Sequence, residues 1–79
     1  MNRQEIMEKL NGIFCELFED DGIQITDEMT AKDIEDWDSL AHLQLIAMVE
    51  SAFSIRFSLG EINSFANVGE LCDAVLRRL

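Results

Sequence analysis

The chain has no proline at all. That removes the usual breakers and fits a chain that is mostly helix. It also has no apolar run near the ~20 residues that a membrane helix needs. The opening Met1-Asn2-Arg3-Gln4-Glu5 has no hydrophobic signal core, so the expected location is the cytoplasm. Basic residues are scarce: 6 against 16 acids, for a formal charge of −10. A chain so acidic is repelled by nucleic acid and by anionic membrane surfaces. It favours partners with basic surfaces, drawn in by electrostatic steering. Only two cysteines are present, Cys15 and Cys72, far apart and on apolar helix faces. They read as reduced core thiols. A metal site would need a second local ligand, and none is spaced for it. Internal repeats, low-complexity tracts and linkers are missing too. The expected organisation is one free-standing domain over residues 1–79, a monomer with a small core.

What is present is helical periodicity. From about Arg3 to Phe18, residues Ile6, Leu10, Ile13, Phe14, Leu17 and Phe18 recur at helical spacing, edged by Met7 and Cys15. Asn2 with Glu5 forms a capping-box start, and Gly22 is the expected breaker. Glu19 to Asp38 is a long connection holding nine of the sixteen acids and one base, Lys32. Ile23, Ile25, Met29 and Ile34 should pin it to the bundle, with a helical turn within Thr30 to Glu35.

A second helix runs from about Ser39 to Phe53. Asp38 stands in capping position before it. At ~100° per residue, Leu45, Ile46, Val49 and Phe53 share the core face. Leu40, Leu43 and Ala47 fall on roughly the opposite side, beside Ser39. A second apolar stripe is unusual on a small soluble helix. It reads as a docking face rather than as scattered surface residues. Ser58 with Glu61 predicts a short third helix, about Leu59 to Ser64. Gly60 weakens that helix, and Ile62 and Phe65 anchor it. Asn67 with Glu70 starts the last helix. Its apolar face is Val68, Leu71, Cys72, Val75, Leu76 and Leu79, and Arg77 and Arg78 sit at its end, where positive charge is favoured.

The chemistry-bearing residues lie where the acidic connection becomes the second helix. Ser39 opens that helix, exposed and fixed, at an end that attracts anions, phosphate esters included. Asp38, Ser39 and His42 could be drawn as a triad. A triad needs an oriented base and oxyanion donors, and the chain lacks a Gly-x-Ser-x-Gly elbow, so an enzyme is not the expected reading. His42 points toward the core side, at the mouth of the bundle. Trp37 reads first as packing between the connection and the second helix, and second as a contact surface.

Asp38-Ser39-Leu40, followed by Leu43, Leu45-Ile46, Glu50 and Phe53, resembles the acyl carrier protein family over about residues 2–79. The resemblance implies an all-α four-helix bundle with a short third helix and a long loop between the first two. It implies 4′-phosphopantetheine on Ser39, moved there from coenzyme A by a phosphopantetheinyl transferase that recognises Asp38. The arm ends in a thiol, and acyl groups ride on it as thioesters while the carrier itself catalyses nothing. The matching partner-contact positions are Trp37, Leu40, Leu43, Ala47 and Glu50. His42, Ile46, Ile62 and Phe65 match the space where the family shelters acyl chains.

Against housekeeping fatty-acid carriers, Asp36 replaces the usual glycine three residues before the serine. Ala41 and Gln44 replace the usual acids, which shifts docking charge into the preceding loop. The Trp-Asp-Ser-Leu-Ala-His pattern is more similar to carriers of specialised, polyketide-like routes. An aminoacyl or peptidyl carrier and an unmodified helical interaction protein remain as alternatives.

Overall fold

The computed structural model describes residues 1–79 as four α-helices: α1 (Arg3–Leu17), α2 (Ser39–Phe53), α3 (Leu59–Ile62) and α4 (Val68–Arg78). One 3₁₀ turn, Ala31–Asp33, interrupts the connection between α1 and α2. The expected all-α bundle is therefore present. α1 packs against both α2 and α4. The core contains Ile6, Leu10 and Phe14 from α1, Leu45, Ile46 and Val49 from α2, Ile62 from α3, and Val68, Leu71 and Val75 from α4.

The caps follow the sequence chemistry. Asn2 accepts the Glu5 amide while the Glu5 carboxylate accepts the Asn2 amide, so two orphan donors of α1 are satisfied reciprocally. Ser58 and Glu61 do the same for α3. Thr30 and Asp33 do so for the 3₁₀ turn. Asn67 caps α4 by accepting the Glu70 amide.

Three expectations are corrected. Gly22 does not end the first helix. α1 stops at Leu17, and the chain reverses at Glu19, in the left-handed region at φ 52°. Gly22 only donates its amide to the Asp20 side chain in the following turn. α3 stops at Ile62, short of Ser64, because the Ser64 hydroxyl and amide both turn back onto the Glu61 carbonyl. At the end of α4, Leu76 and Leu79 are exposed. Gly69 and Ala74 are buried on that helix in their place.

The long connection is tied down on several sides. Asn11 of α1 donates to the Ile23 carbonyl at 3.1 Å and accepts the Ile25 amide at 2.8 Å. The carbonyls of Met29 and Asp27 take the first amides of α4, from Val68 at 2.9 Å and Gly69 at 3.0 Å. Those are orphan donors of a helix start. A Cβ on Gly69 would come within 3.1 Å of the Asp27 carbonyl oxygen, so glycine permits this approach. Arg3 closes the same corner by bridging Asp27 and Asp73 and donating to the Gly69 carbonyl. The two carboxylates, Asp73 first, hold its guanidinium even more firmly protonated than usual.

Candidate functional site

Ser39 is the first residue of α2, and its placement is decided by the two residues before it. Trp37 is half-buried. Its ring meets Phe14 edge-on at 5.2 Å and lies 6.4 Å from Phe18, which seats the end of the connection on α1. Trp37 is thus a packing residue, but it seats the connection on α1 as well as on α2, where it meets His42, and its other side faces the groove described below. Asp38 is the N-cap, and its carboxylate accepts the Ala41 amide at 2.8 Å. Its carbonyl accepts the His42 amide at 2.9 Å. The Ser39 and Leu40 amides have no acceptor within the chain, nor has the exposed Ser39 hydroxyl. The result is an exposed hydroxyl on a fixed backbone position, beside two free N–H groups at the positive end of a helix. Asp36 needs no special backbone: only Glu19 and Ser54 have positive φ, so the missing glycine costs no strain here.

A groove of about 690 Å³ opens beside Ser39. Its walls come from three stretches of sequence: Thr30 to Lys32, Trp37 to Leu43, and Asn63 to Leu71. Lys32 is the one cation on it. Trp37, Leu43, Phe65 and Leu71 supply its apolar part. Of the four expected pocket residues, His42 and Phe65 line this groove. Ile46 and Ile62 do not, because both side chains are buried in the closed core. The sequence reading did not place Lys32, Thr30, Asn63 or Asn67 at this site, although a lone base in an acidic loop is a legible signal for Lys32.

His42 is no base. Trp37 Nε1 donates to its Nδ1 at 3.2 Å, and its Nε2 lies 2.8 Å from the Ile62 carbonyl oxygen. With Asp38 bonded to the Ala41 amide, no relay connects Asp38, His42 and Ser39.

The expected docking residues divide. Leu40 and Leu43 are 66% and 55% exposed, and Ala47 is exposed with them. Glu50 is different. Its carboxylate turns inward and accepts the Phe57 amide at 2.8 Å, bracing the loop after α2. That bond ties the carboxylate to the fold, unlike the exposed side chains of Leu40, Leu43 and Ala47. A second hollow, about 350 Å³, lies on the other side of Leu40. There Ala41 and Gln44 sit with Glu19, Asp36 and Asp38, so loop acids adjoin the helix positions that lack them.

The site is suited to a phosphodiester-linked group. The hydroxyl is accessible, two free amides lie beside it, and Lys32 lines the adjoining groove. Comparison with known proteins agrees. Residues 8–75 match the family described as the phosphopantetheine attachment site. The solution structure of a holo acyl carrier protein from Geobacter metallireducens is similar, at 42% identity and a TM-score of 0.87, covering 92% of this chain and 84% of that one. No curated protein matches significantly.

Proposed function

This chain belongs to the phosphopantetheine attachment family, whose members carry 4′-phosphopantetheine and have no catalytic activity of their own, and we propose that it is an acyl carrier modified at Ser39. The observation that carries the assignment is the free, exposed hydroxyl at the start of α2, with unpaired amides behind it and the groove at its side. When bound, the arm supplies a thiol on which acyl groups are held as thioesters.

The chain's own residues do the rest. The Ser39 hydroxyl is the attachment point. The amides of Ser39 and Leu40, with Lys32, stabilise the phosphodiester charge. Asp38 holds the serine in place and is the residue the phosphopantetheinyl transferase recognises. Leu40, Leu43 and Ala47 form the apolar face that docks on partner enzymes. Glu19 and Asp36 supply the acidic rim that α2 lacks at Ala41 and Gln44, so partners with basic surfaces approach from the α1 side. This displaced charge, with Trp37 in the loop, supports service to a specialised biosynthetic route rather than to general fatty-acid elongation. If general ketosynthases extend its acyl chains as fast as those on a housekeeping carrier, that assignment fails.

The direct test is intact mass after incubation with coenzyme A, magnesium and a broad-specificity phosphopantetheinyl transferase. The wild type should gain one phosphopantetheine and Ser39→Ala none. A gain on Ser39→Ala, or none on the wild type while a control carrier is modified in parallel, overturns the assignment.

A further inference from the structure

His42 has no part in the attachment chemistry, yet both its ring nitrogens are engaged. An indole N–H can only donate, so Nδ1 of His42 accepts from Trp37. The imidazole hydrogen then sits on Nε2, which donates to the Ile62 carbonyl at 2.8 Å. That carbonyl is in the last turn of α3, where no intrahelical donor remains to satisfy it. The Trp37 and His42 rings also lie nearly parallel, 21° apart with centroids at 6.0 Å.

One imidazole thus joins two walls of the Ser39 groove. Trp37 stands on the loop wall, itself seated on Phe14 and Phe18. Ile62 leads directly into Asn63 and Phe65, which form the opposite wall. α3 has few other ties. It is four residues long, contains Gly60 and leaves Leu59 78% exposed. Apart from the Ile62 side chain in the core and the Glu61–Arg78 pair, His42 is its hold on the bundle.

We propose that His42 is a positioning residue, a latch that ties α3 to α2 and to Trp37 in a single neutral tautomer and thereby sets the width of the groove beside Ser39. The carrier reading enters only in what the groove receives, namely the arm and its cargo. The latch belongs to the unmodified chain.

The test uses ¹⁵N NMR and amide exchange on that unmodified chain. The wild-type imidazole should be protonated at Nε2. His42→Asn keeps an acceptor near the Nδ1 position but falls short of Ile62. His42→Gln reaches Ile62 with its amide and leaves the indole unpartnered. In His42→Asn the amides of Ile62, Asn63 and Ser64 should exchange about five- to tenfold faster, the loss of one hydrogen bond. The core amides of Leu10 and Val49 should be unchanged. In His42→Gln the α3 amides should stay near wild type while the Trp37 indole proton exchanges faster. Protonation at Nδ1, an unaltered α3 in His42→Asn, or equal loosening by both variants overturns the latch. On the chain carrying the arm, contacts from its methylenes to the Phe65 ring should weaken in His42→Asn only. Failure to attach the arm would count against the carrier reading and leave the exchange result to decide the latch.

Discussion

Asp38 is assigned two tasks, and substitutions separate them. Its carboxylate caps α2 by accepting the Ala41 amide at 2.8 Å, and it places a negative charge at the positive end of the helix. Loss of such a cap costs about 1 kcal/mol. An acid in that position adds roughly 0.3–1 kcal/mol through the helix dipole. Asp38→Ala removes both, about 1.5 kcal/mol together. For a domain of this size each kcal/mol shifts the melting temperature by about 4–8 °C, so a loss near 6–12 °C is expected. Asparagine caps as well as aspartate, so Asp38→Asn loses only the charge, and its melting temperature should drop by a few degrees. Modification follows a different order. If the transferase reads the carboxylate, both variants should be modified slowly, and to a similar degree, at a temperature where both are folded. Thermal unfolding by circular dichroism and initial rates by intact mass measure the two tasks separately. Equal destabilisation by alanine and asparagine would refute the capping argument. A wild-type modification rate in Asp38→Asn would refute recognition of the charge.

Three further substitutions test the fold around the site. Glu50→Ala should cost about 1.5–3 kcal/mol in urea unfolding, because it strands the Phe57 amide that the carboxylate now accepts, and Glu50→Gln should cost less; a loss under about 0.5 kcal/mol would return Glu50 to the docking surface. Ser54 ends α2 in the left-handed region at φ 55°. A non-glycine residue there carries about 1–2 kcal/mol of strain, and glycine adds roughly 0.5–1 kcal/mol of chain entropy, so Ser54→Gly should raise stability by about 0.5 kcal/mol. The Ser58 amide, and then Arg78, hold the Glu61 carboxyl below the usual carboxylate range. A lowered folded-state pKa means stability that is present above the unfolded value of about 4.3 and lost as pH falls through the folded one. Wild type should therefore melt above Glu61→Gln at neutral pH, and the gap should close below about pH 4; a gap that stays constant to lower pH would refute it.

The residues legible in the sequence are those whose partners are close along the chain. The reciprocal caps Asn2–Glu5 and Ser58–Glu61 are three residues apart, so their chemistry marks helix starts without knowledge of the fold. The core face of α2 follows from period alone. The misreadings arise where a distant group decides. The end of α1 looked like the work of Gly22, but the reversal falls at Glu19, where the Asp20 amide turns back onto the Cys15 carbonyl. Leu76 and Leu79 keep the helical period of α4, yet period does not say which of its positions find a neighbour, and both are exposed. Asn11 is the plainest case. One polar side chain on α1 holds both Ile23 and Ile25, and nothing in its own stretch distinguishes it from a surface asparagine.

The same contrast divides the site itself. Ser39 and Asp38 are a local arrangement, a hydroxyl and its cap at a helix start. The groove is not local. It needs α4 to be clamped by the Met29 and Asp27 carbonyls, which carries Asn67 and Leu71 to the turn that bears Thr30 and Lys32. It also needs His42 to reach Ile62 across twenty residues of sequence. The acidic rim beside Leu40 is assembled in the same way. Ala41 and Gln44 read as a loss of acidity when α2 is considered alone. In the fold, Glu19 from the end of α1 and Asp36 from the connection stand beside them. Charge at a docking face acts through its position in space, over distances near the Debye length of about 8 Å, and not through the helix that supplies it. An acid moved from α2 to a neighbouring loop can therefore keep the attraction for basic partners while changing the shape they must match.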